Sequence, residues 1–339
     1  MPKTIKMNKP RVFNSLTFID LFAGIGGFRL ALESFGAQCV FTSEWDKYAQ
    51  KTYEANFGDK PSGDITKITP KDIPAHDILC GGFPCQPFSI SGKQLGFADT
   101  RGTLFFDIAR IIEHHKPKII FLENVANLDK HQDGTTIERM KQVLESMGYS
   151  VFTQTLNASH YGVPQSRKRL YFVAFREDLN VNDFSFPTPT NEDIVLADIL
   201  LPQKEVKKYI LDVPNTRIEN KDKIFRINKP VRIGTINKGS QGDRIYSING
   251  HAITLSAQGG GNASKTGAYL VGDKVRKLSP RECARAQGFP DSFIIPTDLS
   301  DSQAWKQFGN SVSVPVLQAI ISKMVELREL KKDTKPRKN

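Results

Sequence analysis

Short apolar runs, each closed by a polar or glycine-containing turn, dominate the first half of the chain. Leu16-Thr17-Phe18-Ile19-Asp20-Leu21-Phe22 reads as a buried strand, followed by a glycine turn and a helix from about Phe28 to Phe35 that Gly36 ends. Gln38 to Ser43 reads as the next strand, and two further strands are predicted at 77–80 and 118–123. Helical stretches are predicted near 103–115 and at 135–147, the second with Ile137, Met140, Leu144 and Met147 on one face and Gly148 as its stop. Repeated strand-helix alternation predicts an α/β fold built on a parallel sheet covered on both faces.

Past Phe175 the texture changes. Phe186-Pro187-Thr188-Pro189-Thr190 reads as a linker, and 191–279 carries polar and basic stretches around two glycine-rich loops, Gly239-Ser240-Gln241-Gly242-Asp243-Arg244 and Gly259-Gly260-Gly261-Asn262. A second, smaller domain is expected here. Pro280-Arg281-Glu282-Cys283-Ala284-Arg285 opens a helical segment, and 312–330 reads as a final helix able to pack back on the first domain. The predicted division is 1–190, 191–279 and 280–339.

With 339 residues, 39% of them hydrophobic, the chain can bury a full core and divide into two lobes. It lacks an apolar run near the roughly 18 residues of a membrane span, and its charged start has no apolar stretch, so a soluble, cytoplasmic protein is expected. Cys39, Cys80, Cys85 and Cys283 lack paired CxxC spacing, which predicts neither a metal nor a disulfide framework. Cys39, Cys80 and Cys283 are read as small core residues. The formal charge of +11 favours a polyanionic partner, although part of it lies in basic tails that are ordinarily only solvated.

Candidate chemistry sits at strand ends. Phe83-Pro84-Cys85-Gln86 follows the run Asp77 to Gly82, and Glu123-Asn124-Val125 closes Lys118 to Leu122. A thiol and a carboxyl are thereby offered to the crevice beyond the strands, where α/β sheets bind ligands, and the pair suits covalent attack on a base. The turn Phe22-Ala23-Gly24-Ile25-Gly26-Gly27 is GxGG rather than GxGxxG, and no phosphate-loop lysine follows. With Glu44 at the end of the next strand to accept from ribose hydroxyls and Trp45 to stack on a base, an adenosine cofactor without a pyrophosphate fits better. Taken singly, each feature has a plain alternative: close packing for the glycines, a buried thiol for Cys85, an ion-pair partner for Glu123, and a surface charge run for Arg167-Lys168-Arg169.

Asp20 to Gly27, Gly82-Phe83-Pro84-Cys85-Gln86, Glu123-Asn124-Val125, Gln165-Ser166-Arg167-Lys168-Arg169 and Gly309-Asn310-Ser311-Val312, in that order, resemble the motif series of the bacterial DNA cytosine-5 methyltransferases. The likeness covers nearly the whole chain, and ordered blocks are far more specific than any one of them. Gly239 to Ser247, Ala252 to Gly261 and Lys265 to Val271 look most like the HhaI type of that family.

The resemblance implies a Rossmann-like, S-adenosylmethionine-dependent methyltransferase sheet with a smaller target-recognition domain, acting as a DNA (cytosine-5-)-methyltransferase. Cys85 would add to cytosine C6 and make C5 an enamine-like carbon. Glu123 would hold or protonate N3, Arg167 and Arg169 would orient Glu123 and bind the base O2 or a nearby phosphate, and Asn124 would hold the Cys85 loop. The implied cofactor set is Phe22, Ala23, Gly24, Ile25, Gly26, Glu44, Trp45, Asp64, Ile65, Leu104 and Asn310, with the Asp64 carboxylate meeting the adenine amino group.

A cytosine inside a duplex cannot expose C6, so the base must flip out at a cost of a few kcal/mol. Ser91 and Gln241 match positions that enter the duplex in the HhaI type, and the 85–102 loop has glycine hinges with which to close. Arg244 would read a guanine through O6 and N7. Gln86, Gln258, Gly260 and Gly261 complete the implied DNA-contacting set, Gln258 standing where that type is expected to carry tyrosine. GCGC is the implied target, double-stranded DNA the implied partner, a monomer the expected state, and a cognate restriction endonuclease the functional companion. An RNA cytosine methyltransferase of the same fold, a nicotinamide-dependent oxidoreductase and a non-catalytic DNA-binding protein are the competing readings.

Overall fold

The computed structural model describes residues 13–84, 104–128, 134–190, 192–219 and 225–333, and for Gln241 and 328–333 the backbone only. Cys85, Gln86 and Ser91 lie outside the described residues.

Strands β1 (Thr17–Leu21), β2 (Gln38–Ser43), β3 (Ile78–Gly82), β4 (Ile119–Val125), β5 (Tyr149–Asn157) and β6 (Lys168–Arg176) form a six-stranded sheet in the order β2-β1-β3-β4-β6-β5. Helices α1 (Gly27–Glu33), α2 (Lys47–Phe57), α3 (Leu104–His115) and α4 (Thr135–Ser146) lie between the strands along the chain. β1 runs parallel to β2 and β3, and β3 to β4, but β6 is antiparallel to both β4 and β5. The expected wholly parallel sheet is therefore corrected at one strand. Between Asn157 and Lys168 the chain makes a 3-10 turn at Ala158–His160 and no helix, too short a link for the crossover that a parallel neighbour requires.

Alternation along the strands divides the core into two layers. Phe18, Cys80, Phe121, Tyr171 and Val173 pack with Phe28 and Leu32 of α1. Ile19, Leu79, Ile120, Leu122 and Phe172 pack with Ile108 and Ile112 of α3 and Ile137 and Leu144 of α4. Burial on both faces is why these strands read as nearly unbroken apolar runs.

A second sheet, five-stranded, contains β7 (Thr216–Ile218), β8 (Arg232–Ile236), β9 (Arg244–Ser247), β10 (Ala268–Val271) and β11 (Lys274–Arg276) in the order β11-β10-β9-β8-β7. Its own core is small, built on Ile233, Ile236, Ile245, Ala263, Ala268 and Val275. Leu196 and Ile199, ahead of this sheet in the chain, pack in the core of the larger lobe.

Three helices follow: α5 (Pro280–Ala286), α6 (Asp301–Asn310) and α7 (Val314–Asp333). α5 starts with a Ser279–Glu282 capping box, and the buried Glu282 also receives Arg276 from β11 through two hydrogen bonds of 2.7 and 2.9 Å. Leu317, Ile320 and Ile321 of α7 join Phe28, Ala31 and Leu32 of α1, so the C-terminal segment docks on the first lobe. Cys80 and Cys283 are buried and Cys39 is half-buried. Among the described residues there is no helix long and apolar enough to cross a membrane and no cluster of metal-ligating side chains.

Candidate active site at the strand ends

Parallel pairing brings the carboxyl ends of β1, β2, β3 and β4 to one rim, and the antiparallel β6 begins there. The turn after β1, Glu44 and Trp45 after β2, Phe83 after β3, Glu123 and Asn124 of β4 and Arg169 of β6 are gathered by topology alone.

The turn after β1 is tight, with Phe22 at φ 54°, Gly24 at 56° and Gly26 at 86°. A left-handed phenylalanine is strained by about 1–3 kcal/mol. Cross-links to β2 hold it there: Ala23 N–H donates to Ser43 O (2.9 Å) and Gly24 N–H to Glu44 Oε2 (2.8 Å). Asp46 N–H donates to the other oxygen, Oε1, at 2.8 Å. The Glu44 carboxylate is fixed by two backbone donors, and each oxygen keeps capacity to accept another hydrogen bond. Burial raises its pKa, while those donors pull it back.

The glycines divide by role. A Cβ at Gly24 would approach nothing nearer than Phe22 O at 4.0 Å, whereas at Gly26 it would strike the Phe57 ring and at Gly27 it would crowd Val312. Gly24 leaves backbone open to a ligand; Gly26 and Gly27 also serve helix packing. Ile25 is buried, and Trp45 is 76% exposed, an unusual position for an indole and one that leaves a face free for stacking. An open turn, a pre-oriented carboxylate and a free indole fit an adenosine.

The remaining cofactor candidates border this region. Gly63 is left-handed at φ 86°, and Asp64 Oδ1 accepts from Thr66 N–H (3.1 Å) and Thr66 Oγ1 (2.8 Å), capping the 3-10 turn Ile65–Lys67. Ile65 is buried, and Leu104 is the first residue of α3. Asn310 is exposed at the end of α6. α6 is fastened to α2 by Lys306 Nζ on Asp46 Oδ2 (2.7 Å), Gln307 Nε2 donating to Tyr48 O (2.8 Å), and Thr52 Oγ1 donating to Gln307 Oε1 (2.9 Å).

Glu123 is buried, and its cross-strand partner is Tyr171, with Arg169 on the diagonal. Arg169 Nε lies 3.0 Å from Glu123 Oε1, an ion-pair contact outside hydrogen-bonding geometry. Burial raises the Glu123 pKa, and Arg169 and then Arg167 pull it down without cancelling the rise. Asn124 Nδ2 donates to Phe83 O at 3.0 Å and its Oδ1 accepts from Val125 N–H at 2.8 Å, so this side chain pins the backbone two residues before Cys85.

Arg167 points elsewhere. It is 2% exposed, and its guanidinium donates to the carbonyls of Leu255 (3.1 Å), Gly309 (3.1 Å) and Ser311 (2.5 Å). Toward Glu123 it acts through its charge, which lowers that group's pKa, while its hydrogen bonds go to these carbonyls. Two glutamines complete the same junction. Gln165 Oε1 accepts from Leu255 N–H (3.0 Å) while its Nε2 donates to Ala286 O (2.9 Å), and Gln287 Nε2 donates to Phe308 O (2.9 Å). Gln287 carried no signal in the sequence, because its partner lies in a different helix.

In the small lobe the two glycine-rich loops meet. A Cβ on Gly242 would collide with the Gly260 carbonyl, one on Gly261 would sit 2.8 Å from Gly242 O, and Ala263 N–H donates to Gly242 O at 2.8 Å. Gln241 belongs to the 3-10 turn Gln241–Asp243, directly before Arg244, which opens β9. Arg244 Nε is buried without a hydrogen-bond partner among the described residues. Gln258 is exposed and its N–H donates to Ser256 Oγ at 3.2 Å, while a Cβ on Gly260 would meet nothing within 4 Å.

A family model described as C-5 cytosine-specific DNA methylase matches residues 16–326. The chain is 55% identical over 312 residues to the type II methyltransferase M.HhaI of Haemophilus parahaemolyticus, covering 92% of this chain and 95% of that protein. It is 46% identical over 334 residues to the type II methyltransferase M.HpaII of Haemophilus parainfluenzae, covering 94% and 92%. The crystal structure of S. pombe Dnmt2 methyltransferase superposes with a TM-score of 0.68 at 20% identity, covering 92% of this chain and 98% of that one.

Proposed function

The chain belongs to the C-5 cytosine-specific DNA methylases, and from that premise we propose that it modifies one flipped-out cytosine within a short GC-rich duplex site, GCGC being the first to test. S-adenosylmethionine supplies the methyl group. Glu44 would hold the ribose hydroxyls, Trp45 would stack on adenine and Asp64 would accept from its amino group, with Phe22, Ala23, Gly24, Ile25, Gly26, Ile65, Leu104 and Asn310 as the surrounding wall.

The observation that carries the reading is the buried, ion-paired Glu123 with its raised pKa at the strand end next to the Asn124-held Phe83. An acid that keeps its proton further up the pH scale than an exposed glutamate can donate to cytosine N3. Electron withdrawal at N3 prepares C6 for the Cys85 thiolate, whose attack forms the S–C6 bond and moves the electron pair to C5. C5 would take the methyl group from the sulfonium, whose S–CH3 bond breaks to leave S-adenosylhomocysteine; a base would then remove the C5 proton, the returning pair would expel the Cys85 thiolate, and the N3 proton would go back to Glu123. Arg169 would keep Glu123 oriented and reach the base O2.

Base flipping follows from the geometry of the reaction, since C6 attack occurs from outside the base plane. Gln241 and Ser91 would fill the vacated stack, while Arg244, Gln86, Gln258, Gly260 and Gly261 would contact the DNA. The joined glycine loops, with Arg244 opening β9 beside them, support a shared recognition surface. Restriction-modification, with a cognate endonuclease acting on the same site, is the proposed setting, and a monomer the proposed working form.

Duplex DNA carrying 5-fluorocytosine at the target tests the chemistry. Fluorine at C5 cannot leave as a proton, so a protein–DNA adduct stable to denaturing electrophoresis should accumulate with the wild type and not with Cys85→Ala. An adduct that survives this substitution would remove Cys85 from the reaction.

A further inference from the structure

The turn that carries Asp64 and Ile65 belongs to no strand; the sheet holds it on one side, through Ser62 N–H on Thr42 O of β2 at 2.9 Å and the burial of Ile65 with Ile19, Leu21 and Leu79, and its other side faces α3. Ile65–Lys67 and Pro70–Asp72 are consecutive 3-10 turns, each closed at its C-terminal end by a backbone bond of 3.2 Å, Ile68 N–H to Ile65 O and Ile73 N–H to Pro70 O, so little of their own hydrogen bonding holds them. Arg110 of α3 adds a grip on the first of them. Its Nη2 donates to Ile65 O at 2.6 Å and its Nη1 to Ile68 O at 2.7 Å, while Nε donates to Asp107 Oδ1 at 3.0 Å, one turn back on the same helix. A planar guanidinium with donors at fixed spacing suits two carbonyls held apart by a turn, and a lysine ammonium does not reproduce that fork.

The orientation of Asp64 follows from this grip. Its Oδ1 is taken up by Thr66, and its ion pair among the described residues is with Lys67 Nζ at 3.8 Å, on a largely exposed side chain. The carboxylate therefore goes where the turn goes. α3 also begins at Leu104, so the same arginine joins Ile65 and Leu104, two separate cofactor candidates, into one body. A second tie, His115 Nε2 with Pro70 O at 2.8 Å, lies at the far end of α3 and remains when Arg110 is changed.

We propose that Arg110 is a positioning residue for the adenine side of the cofactor pocket, setting Asp64 by holding the carbonyls of Ile65 and Ile68. This rests on the reading of Asp64 as the acceptor for the adenine amino group. Arg110 acts through the turn, so it should govern cofactor affinity and the choice of base rather than methyl transfer itself.

Calorimetry with S-adenosylhomocysteine and with S-inosylhomocysteine, which has oxygen in place of the amino group, separates these roles. The full-length wild type should prefer the adenosine ligand. Arg110→Met should bind it roughly tenfold more weakly, equivalent to about 1.4 kcal/mol, and lose most of the preference. Its kcat at saturating S-adenosylmethionine and its KM for DNA should stay within about twofold of wild type. Arg110→Lys, which keeps the charge and loses the fork, should fall between the two and provides the test should the methionine variant fold poorly. Variants that keep both affinity and preference, or that weaken for both ligands by the same factor, would overturn the proposal. A wild type indifferent to the amino group would overturn the Asp64 reading first, and this role for Arg110 with it.

Discussion

Two buried carboxyls lie in the same sheet, and their surroundings give them different properties. Glu123 has Arg169 at 3.0 Å, whereas both oxygens of Asp20 lack a hydrogen-bond partner among the described residues, the neighbouring Cys80 thiol donating to Ile19 O at 3.3 Å instead. Burial, opposed in part by the adjacent Cys80 thiol and then by the charge of Arg29, lifts the Asp20 pKa from 3.8 to about 8. The folded protein then holds a proton that the unfolded chain has released, so this group's contribution to stability falls as pH rises from about 4 to about 8 and is flat beyond. Asp20→Asn should remove that slope. Urea midpoints at about pH 5 and pH 8.5 should show the variant gaining on wild type at the higher pH; an unchanged difference would mean that Asp20 titrates normally. At this scale Glu123 and Asn124 were legible, because each follows an apolar run that had to be a strand. Arg167 was not: an Arg-Lys-Arg triplet looks like solvated charge, and the carbonyls that take up its guanidinium belong to residues 255, 309 and 311.

Elements were legible where one pattern governs them. α3, α4 and α7 show helical spacing and α1 a glycine stop, while α2 buries only Ala49, Thr52 and Tyr53 and so presents little apolar face to read. β6 antiparallel to β4 depends on the shortness of the preceding link, which apolar runs do not report. The close approach of α6 to the small lobe is likewise a matter of backbone. A Cβ on Gly309 would run into the backbone of Ser256 and Ala257, immediately beyond the Leu255 that Arg167 and Gln165 hold. Gly309→Ala should therefore destabilise by roughly 1–3 kcal/mol despite the better helix propensity of alanine. Chemical denaturation measures it, and a midpoint equal to or above wild type would show that the two segments can separate at no cost.

Across the whole molecule, the two sheets are joined by apolar packing, Tyr269 of β10 lying in the core of the larger lobe, and by buried polar contacts. Arg276–Glu282 ties β11 to α5, and Arg167, Gln165 and Gln287 draw the segment at Leu255, α5 and the end of α6 onto the start of β6. Such contacts are directional, so they fix orientation between lobes more narrowly than apolar packing alone. The chain order of the motifs was readable, as was a final helix over 312–330 able to pack back on the first lobe, but not the buried partners that orient that return. The net charge of +11 suits a duplex laid against the molecule without naming the sequence to be read. The most direct test of the central claim is transfer of labelled methyl from S-adenosylmethionine to unmethylated duplex DNA, with nucleoside analysis and bisulfite mapping of the product. Label should appear as 5-methylcytosine at one cytosine of a single short GC-rich motif, and Cys85→Ala should abolish it. Label on an exocyclic amino group, label in RNA instead of DNA, or full transfer by the alanine variant would contradict the account.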